Sequence, residues 1–395
     1  MKLPIGRIVV GAAIFSAQFA FSPSAEADYA VDGPEATTTT DLPASTDGGA
    51  IGGSLVVPNG AGPYPLLVTT HGFSGSSTNQ LGWAQHFATY GFVVVVPSLP
   101  STFDPDENVD AAIIEDLAAY YSNPPTGTPA FGKVDGTKIG LEGHSAGGLA
   151  TTMASSVINP QATVLFDPVD ANGVGVGDVP KICSPLMEIY ADPSSCNNEE
   201  GWDSAKAVSL GDQIQFHVVG ANHCSGENAV QTVFCDACGG TPTVASQDDF
   251  SRYATAFFLA YLKGDAAAAA TITSSALAAD TSISGPDVKA GKNCDGSTGP
   301  TLSSSDGGVV TTSDGGTGTG SNPGRDGGTI GGDAGNGAST SPSGSQDAET
   351  PGSDSSSGCS CNDVGRTDDR RNAYFLSAVA IGLVLARRKV RKTNR

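Results

Sequence analysis

Between residues 54 and 263 the chain alternates short apolar runs with longer stretches that are apolar on one face only. Residues 54–58 and 64–70 are rich in strand formers and are joined by Asn59-Gly60-Ala61-Gly62-Pro63, a turn-forming cluster. Residues 79–90 read as a helix stopped by Gly91. Residues 92–96 are an unbroken run of Phe and Val, the composition of a strand buried on both faces of a parallel sheet. A helix over 109–121 follows, with Ile113, Leu117 and Tyr121 on one face. Next come a strand over 138–141 and a helix over 149–156. Strands over 161–166, 185–190 and 213–219 and a closing helix over 250–263 complete the pattern. The alternation predicts an α/β fold, a mostly parallel sheet with helices on both faces. In such a sheet the reactive side chains gather at the C-terminal ends of the strands.

The two ends of the chain do not follow this pattern. Lys2 and Arg7 lead into an apolar run over 8–21, and Ala25-Glu26-Ala27 supplies small residues at a cleavage position. Residues 1–27 therefore read as a secretory signal peptide. The folded domain is expected over 28–290. From residue 291 to 358 the chain is dominated by Gly, Ser, Thr, Asp and Pro and lacks aromatic residues. Such a segment cannot bury enough apolar surface to offset its ordering entropy, so a disordered linker is expected there. Residues 359–395 carry Cys359-Ser360-Cys361, an apolar run over 373–386 and a basic end with Arg387, Arg388, Lys389, Arg391 and Lys392. A spacer, a Cys motif, a short transmembrane helix and an Arg cluster in this order resemble the C-terminal sorting signal of myxobacterial surface proteins. That resemblance implies membrane attachment through the C-terminal helix before any processing, with the basic end on the cytoplasmic side. The protein is expected to be exported and to reside at the cell surface, in association with the outer membrane, or outside the cell.

Charge and cysteine content narrow the chemistry. A formal net charge of −21 argues against a nucleic-acid partner. Of the eight cysteines, six lie before the linker's Gly/Ser-rich body: Cys183, Cys196, Cys224, Cys235, Cys238 and Cys294. Behind a signal peptide these read as disulfide partners. Cys235-Asp-Ala-Cys238 has zinc-like spacing, but no second Cys/His pair with finger spacing follows it. No metal or cofactor is expected.

The most informative stretch is Gly143-His144-Ser145-Ala146-Gly147, which joins the strand ending near Leu141 to the following helix. A strand, a tight G-x-S-x-G turn and a helix make a nucleophile elbow, which raises the Ser145 hydroxyl above the sheet. Serine is a weak nucleophile without a base. Five histidines are available. His86 lies within a helix, His217 lies within a strand, His71 precedes the serine, and His144 is its immediate neighbour. His223, in the loop after the strand over 213–219, is the expected base. The acid that orients it should follow a strand between Ser145 and His223. Asp167 and Asp170 follow one such strand and Asp192 the next, and spacing alone does not choose among them. For the oxyanion, the Ala146 amide is one expected donor. The Phe73 amide, in the His71-Gly72-Phe73 loop after the strand over 64–70, is the other.

The His71-Gly72-Phe73 segment, the Gly143–Gly148 elbow and the Asn222-His223-Cys224 loop together resemble one branch of the α/β-hydrolase fold. It holds chlorophyllases, platelet-activating-factor acetylhydrolase-like enzymes and polyester hydrolases of the cutinase and PET-hydrolase type. The resemblance covers most of residues 51–263. It implies Phe73 and Ala146 as the oxyanion amides. Chlorophyllase-like members place the acid in an Asp-Pro-Val motif that matches Asp167, whereas polyester hydrolases place it one strand later, at Asp192. The Asp167-Pro168-Val169 match favours Asp167. The polyester hydrolases tie the two loops near the histidine with a disulfide, which implies a Cys196–Cys224 pair. At the elbow their Trp-Ser-Met-Gly is replaced by His-Ser-Ala-Gly, a departure that weakens any expectation of polyester activity. The implied activity is serine ester hydrolysis through an acyl-enzyme on a small-molecule or polymeric ester. A peptidase or amidase on the same fold, or a non-catalytic surface-binding protein, are the alternatives.

Overall fold

The protein's structure, a computed structural model, describes residues 28–292 and Cys294, apart from 43–44, 47–48, 51, 101–105, 171–172, 198–206 and 229–234. All of these belong to one compact unit, Met1–Thr312. The expected signal peptide, the linker beyond Cys294 and the C-terminal helix lie outside the described residues. Among the described residues no helix is long and apolar enough to cross a membrane.

The architecture is a nine-stranded sheet. In chain order its strands are β1 (Thr37–Asp41), β4 (Gly53–Pro58), β5 (Tyr64–Thr70), β6 (Val93–Pro97), β7 (Val134–His144), β8 (Ala162–Phe166), β9 (Leu186–Tyr190), β10 (Gln213–Val218) and β11 (Ile283–Lys289). A separate two-residue pairing joins β2 (Ser45–Thr46) to β3 (Gly49–Ala50). The sheet order is β1-β4-β6-β5-β7-β8-β9-β10-β11. Strands β6, β5, β7, β8, β9 and β10 run parallel, while β1, β4 and β11 pair antiparallel at the two edges. The most central burial falls on β6, β8 and β9, which are largely apolar and buried at every position, as burial on both faces requires.

Helices cover both faces. On one face α1 (Ser77–Thr89) and α5 (Val244–Lys263) contribute Trp83, Phe87, Phe250 and Phe257 to the larger core. On the other, α2 (Glu107–Ser122) and α3 (Ser145–Ile158) contribute Ile114, Leu117, Ala150 and Ala154. The expected stripe Ile113, Leu117 and Tyr121 is buried as a unit. Between β8 and β9 lies the short α4 (Val174–Asp178), and α6 (Ala266–Thr271) and α7 (Ser274–Ala279) precede the last strand.

Two differences from the sequence pattern have physical causes. The closing helix starts at Val244 rather than near residue 250, because the Thr243 side chain caps it by accepting the Ser246 N–H at 3.1 Å. The sheet also continues past the strand over 213–219 into β11, whose sequence Ile-Ser-Gly-Pro-Asp-Val-Lys holds Gly and Pro and is mostly exposed. An edge strand with one solvent face tolerates both residues.

Three disulfides join Cys183 to Cys294, Cys196 to Cys238 and Cys224 to Cys235. They suit a protein that matures in an oxidising, extracytoplasmic compartment. The Cys196–Cys224 pair implied by the polyester hydrolases is not formed. Cys235 and Cys238 stand on one short turn, closed by the Cys238 N–H on the Cys235 carbonyl at 3.0 Å. Each of them takes one of the two cysteines that the expectation had joined directly.

Candidate active site

The elbow is built by close packing. β7 ends at His144 and α3 begins at Ser145. Ser145 has φ of 55°, the left-handed region that a non-glycine residue enters only under constraint. The constraint comes from its neighbours. A side chain at Gly147 would stand 2.3 Å from the His71 carbonyl, and one at Gly143 would stand 2.5 Å from the Gly147 carbonyl. Below the turn, the Thr70 hydroxyl lies 3.2 Å from the Glu142 and Gly147 carbonyls and 3.0 Å from Thr151 Oγ1. The serine is thereby fixed at the C-terminal end of a central strand.

His223 begins a short 3-10 turn after β10, and Asp167 directly follows β8. The structure brings Ser145, His223 and Asp167 into one relay. His223 Nδ1–H donates to Asp167 Oδ2 at 2.5 Å, and Nε2 accepts from Ser145 Oγ at 2.8 Å. Asp167 is fully buried, and Ser145 and His223 are nearly so. Asp167 also has positive φ, 43°, a conformation Asp tolerates better than most residues. It bends the chain away from the sheet, and the Val169 N–H then bonds the Ser145 carbonyl at 3.1 Å. The two Asp alternatives are used elsewhere. Asp170 accepts the Val176 N–H at 2.9 Å and so caps the α4 turn. Asp192 accepts from His217 Nε2 at 2.7 Å, away from Ser145.

Two features support the relay and have little sequence signature. Asn197 is buried and donates from Nδ2 to Asp167 Oδ2 at 3.0 Å. His144, also buried, faces the His223 carbonyl with Nε2 at 2.8 Å, so this nitrogen carries the proton. Burial, and then the neighbouring His223, hold the His144 imidazole well below its usual pKa, so it serves as a neutral strut. Only its position beside the serine marked it, and that position argued for a side chain pointing away from the hydroxyl.

The expected oxyanion loop lies directly against Ser145: a side chain at Gly72 would meet its Cβ at 2.8 Å. His71 controls the orientation of this loop. Its Nε2 accepts the Leu99 N–H at 2.9 Å, so Nδ1 is the protonated nitrogen and donates to the Gly72 carbonyl at 2.8 Å. Burial lowers the His71 pKa and keeps this tautomer neutral. The Gly75 N–H adds a second bond to the same carbonyl at 3.1 Å. In a trans peptide the carbonyl and the next N–H point in opposite directions. Fixing the Gly72 carbonyl therefore fixes the Phe73 N–H. At Ala146 the first turn of α3 leaves the N–H without an acceptor inside the helix.

A family model described as Chlorophyllase matches residues 36–190. The match spans β1 to the end of β9 and includes the Phe73 loop, the elbow and Asp167. The domain has the α/β-hydrolase fold. Its parallel sheet, its helix layers and its elbow at the end of β7 all have the places that this fold gives them. No curated protein matches the chain. The family match ends before Asp192 and His223 and does not bear on either residue. The zinc-like spacing near His223 has no thiolates to offer, because Cys224, Cys235 and Cys238 are all in disulfides.

Proposed function

We propose that this α/β-hydrolase is an exported serine ester hydrolase, a carboxylesterase, lipase or cutinase-like enzyme, held at the cell surface or released outside the cell. The observation that carries the reading is the buried Ser145–His223–Asp167 relay at the C-terminal ends of β7, β10 and β8. Ser145 Oγ attacks the ester carbonyl carbon while His223 Nε2 takes its proton. Asp167 holds the imidazole in the required tautomer and stabilises its charged form. The carbonyl electrons move onto oxygen, and the Phe73 and Ala146 amides donate to that oxyanion. The C–O bond to the alcohol then breaks, and His223 delivers the proton to the departing alkoxide. Water attacks the acyl-enzyme with His223 again as base. The carboxylic acid leaves and Ser145 regains its proton.

Hydrolysis of p-nitrophenyl acetate, butyrate and longer esters, run beside p-nitroanilides, tests the reading. Ester turnover that falls about 10⁴-fold or more in Ser145→Ala is the expected result. Turnover confined to the anilides would favour an amidase. A folded protein inert to the whole panel would favour a surface-binding protein.

A further inference from the structure

The relay does not end at Asp167. Oδ1 of this buried carboxylate accepts the Ala191 N–H at 3.1 Å, and Oδ2 accepts from both His223 and Asn197. The orientation of the Asn197 amide is not ambiguous. Its Oδ1 accepts the Ser194 N–H at 2.5 Å and the Ser194 hydroxyl at 3.1 Å, so the nitrogen must be the atom that faces Asp167. The second proton on Nδ2 goes to the Asp192 carbonyl at 3.0 Å. Every polar atom of Asn197 is therefore used, in a place where its side chain is 1 % exposed.

A disulfide fixes this amide in turn. Cys196, the preceding residue, is bonded to Cys238, and Cys224, the residue after His223, is bonded to Cys235. The turn from Cys235 to Cys238 thus holds two loops at once: the loop that aims Asn197 at the acid and the loop that carries the base. Neither bond reaches the reacting atoms. Their common effect is to set the separation between the two loops whose side chains meet on Asp167 Oδ2.

We propose that Asn197 is a positioning residue of the hydrolase, aiming Asp167 Oδ2 at His223 and keeping that carboxylate an acceptor, with the Cys235–Cys238 turn holding donor and base in register. A neutral donor suits the task. It supplies the hydrogen bond that a buried carboxylate needs without adding a charge that would compete with the imidazolium. Because Asn197 acts through Asp167 and touches no substrate, its loss is felt in the chemical step and not in ester binding.

The inference rests on the proposed ester hydrolysis, and its test separates the two. Wild type, Ser145→Ala, Asn197→Ala and Asn197→Asp are compared on p-nitrophenyl butyrate across pH 5 to 9, with folding followed by circular dichroism. Asn197→Ala is expected to lower kcat about 10- to 100-fold with KM within about twofold of wild type. Asn197→Asp, nearly isosteric, adds a negative charge beside the Asp167–His223 pair. That charge favours the protonated imidazole, so the acid limb of kcat/KM moves to higher pH. A residue with a merely structural role would lower stability and leave this limb in place. Wild-type activity with kcat unchanged in a folded Asn197→Ala protein, or an unmoved limb in Asn197→Asp, would overturn the inference and leave the esterase reading intact. An inert wild type would overturn both.

Discussion

Among the described residues two Ser–His–Asp hydrogen-bonded chains stand out, and one of them has the setting of a reactive site. In the first, Ser145, His223 and Asp167 meet among buried side chains. In the second, His217 bonds Ser284 Oγ through Nδ1 at 2.9 Å and Asp192 Oδ1 through Nε2 at 2.7 Å. The residue types and distances are nearly the same. The settings are not. The side chain of Asp192 is 54 % exposed, against 1 % for Asp167. Ser284 stands on the edge strand β11, outside any strand–helix turn, and is not among the non-glycine residues at positive φ. The ring is also reversed, so that Nδ1 faces the hydroxyl. The second chain ties an edge strand to a loop. The comparison shows that residue identity and spacing do not make a site. What distinguishes the first chain is desolvation, a serine held at positive φ and an amide whose direction is fixed from behind.

Among substitutions that probe this contrast, the largest effect is expected at the nucleophile and its base. Ser145→Ala or His223→Ala should lower kcat on a p-nitrophenyl ester about 10⁴- to 10⁶-fold, whereas Ser284→Ala should leave it within about twofold. Steady-state kinetics on the purified variants measures both. The acids come next. Asp167→Asn keeps the shape but favours the wrong imidazole tautomer, with an expected loss of about 10⁴-fold. Asp192→Asn alters only the contact of a half-exposed carboxylate with His217, worth about 0–1 kcal/mol of stability, and should spare turnover. Equal losses in the two variants would remove the distinction drawn here.

A smaller effect is expected at the oxyanion loop. His71→Ala removes one of the two donors that hold the Gly72 carbonyl, so the Phe73 N–H is held less firmly. Since an oxyanion donor contributes about 10²–10³ in kcat and the Gly75 N–H still holds that carbonyl, a loss of about 10-fold is expected, seen in kcat more than in KM.

The smallest effect concerns Glu142, two residues before the end of β7. Its carboxyl is fully buried, neither oxygen has a hydrogen-bond partner among the described residues, and burial pushes its pKa well above the usual value. The folded state therefore keeps a proton that the unfolded chain releases near pH 4.5. The stability tied to this group is fully present below that pH and is lost as pH rises toward the folded value, by at most about 1.4 kcal/mol per pH unit. Glu142→Gln should flatten the fall of Tm between about pH 5 and 8. Glu188, shifted in the same direction by its own burial, keeps part of the slope in place. Thermal melts of both proteins across that range check the sign.

The parts of the molecule that were legible in the sequence are those set by local pattern. The run 92–96 could only be a buried strand, and the stripe Ile113, Leu117 and Tyr121 could only be the inner face of a helix. Gly143 and Gly147 marked the elbow because no other residue fits so close to a crossing carbonyl. Features set by distant partners were not legible. Asp167 and Asp192 both follow strands, and spacing does not show which carboxylate turns toward the histidine. The disulfide partners depend on how three loops converge: the Cys235–Cys238 turn receives one cysteine 11 residues away and another 42 residues away. Asn197 has no motif at all: its role arises from one amide, oriented by Ser194 and aimed at a carboxylate thirty positions earlier. β11 carries no strand pattern because an edge strand needs few of the apolar residues by which strands are recognised.

The most direct test of the central claim is the site of covalent labelling by a fluorophosphonate ester, read by peptide mass spectrometry on the intact, disulfide-bonded protein. The account predicts a single phosphonylated residue, Ser145, with labelling abolished in His223→Ala and unaffected in His217→Ala. Labelling that persists in Ser145→Ala, or that depends on His217 instead, would contradict it.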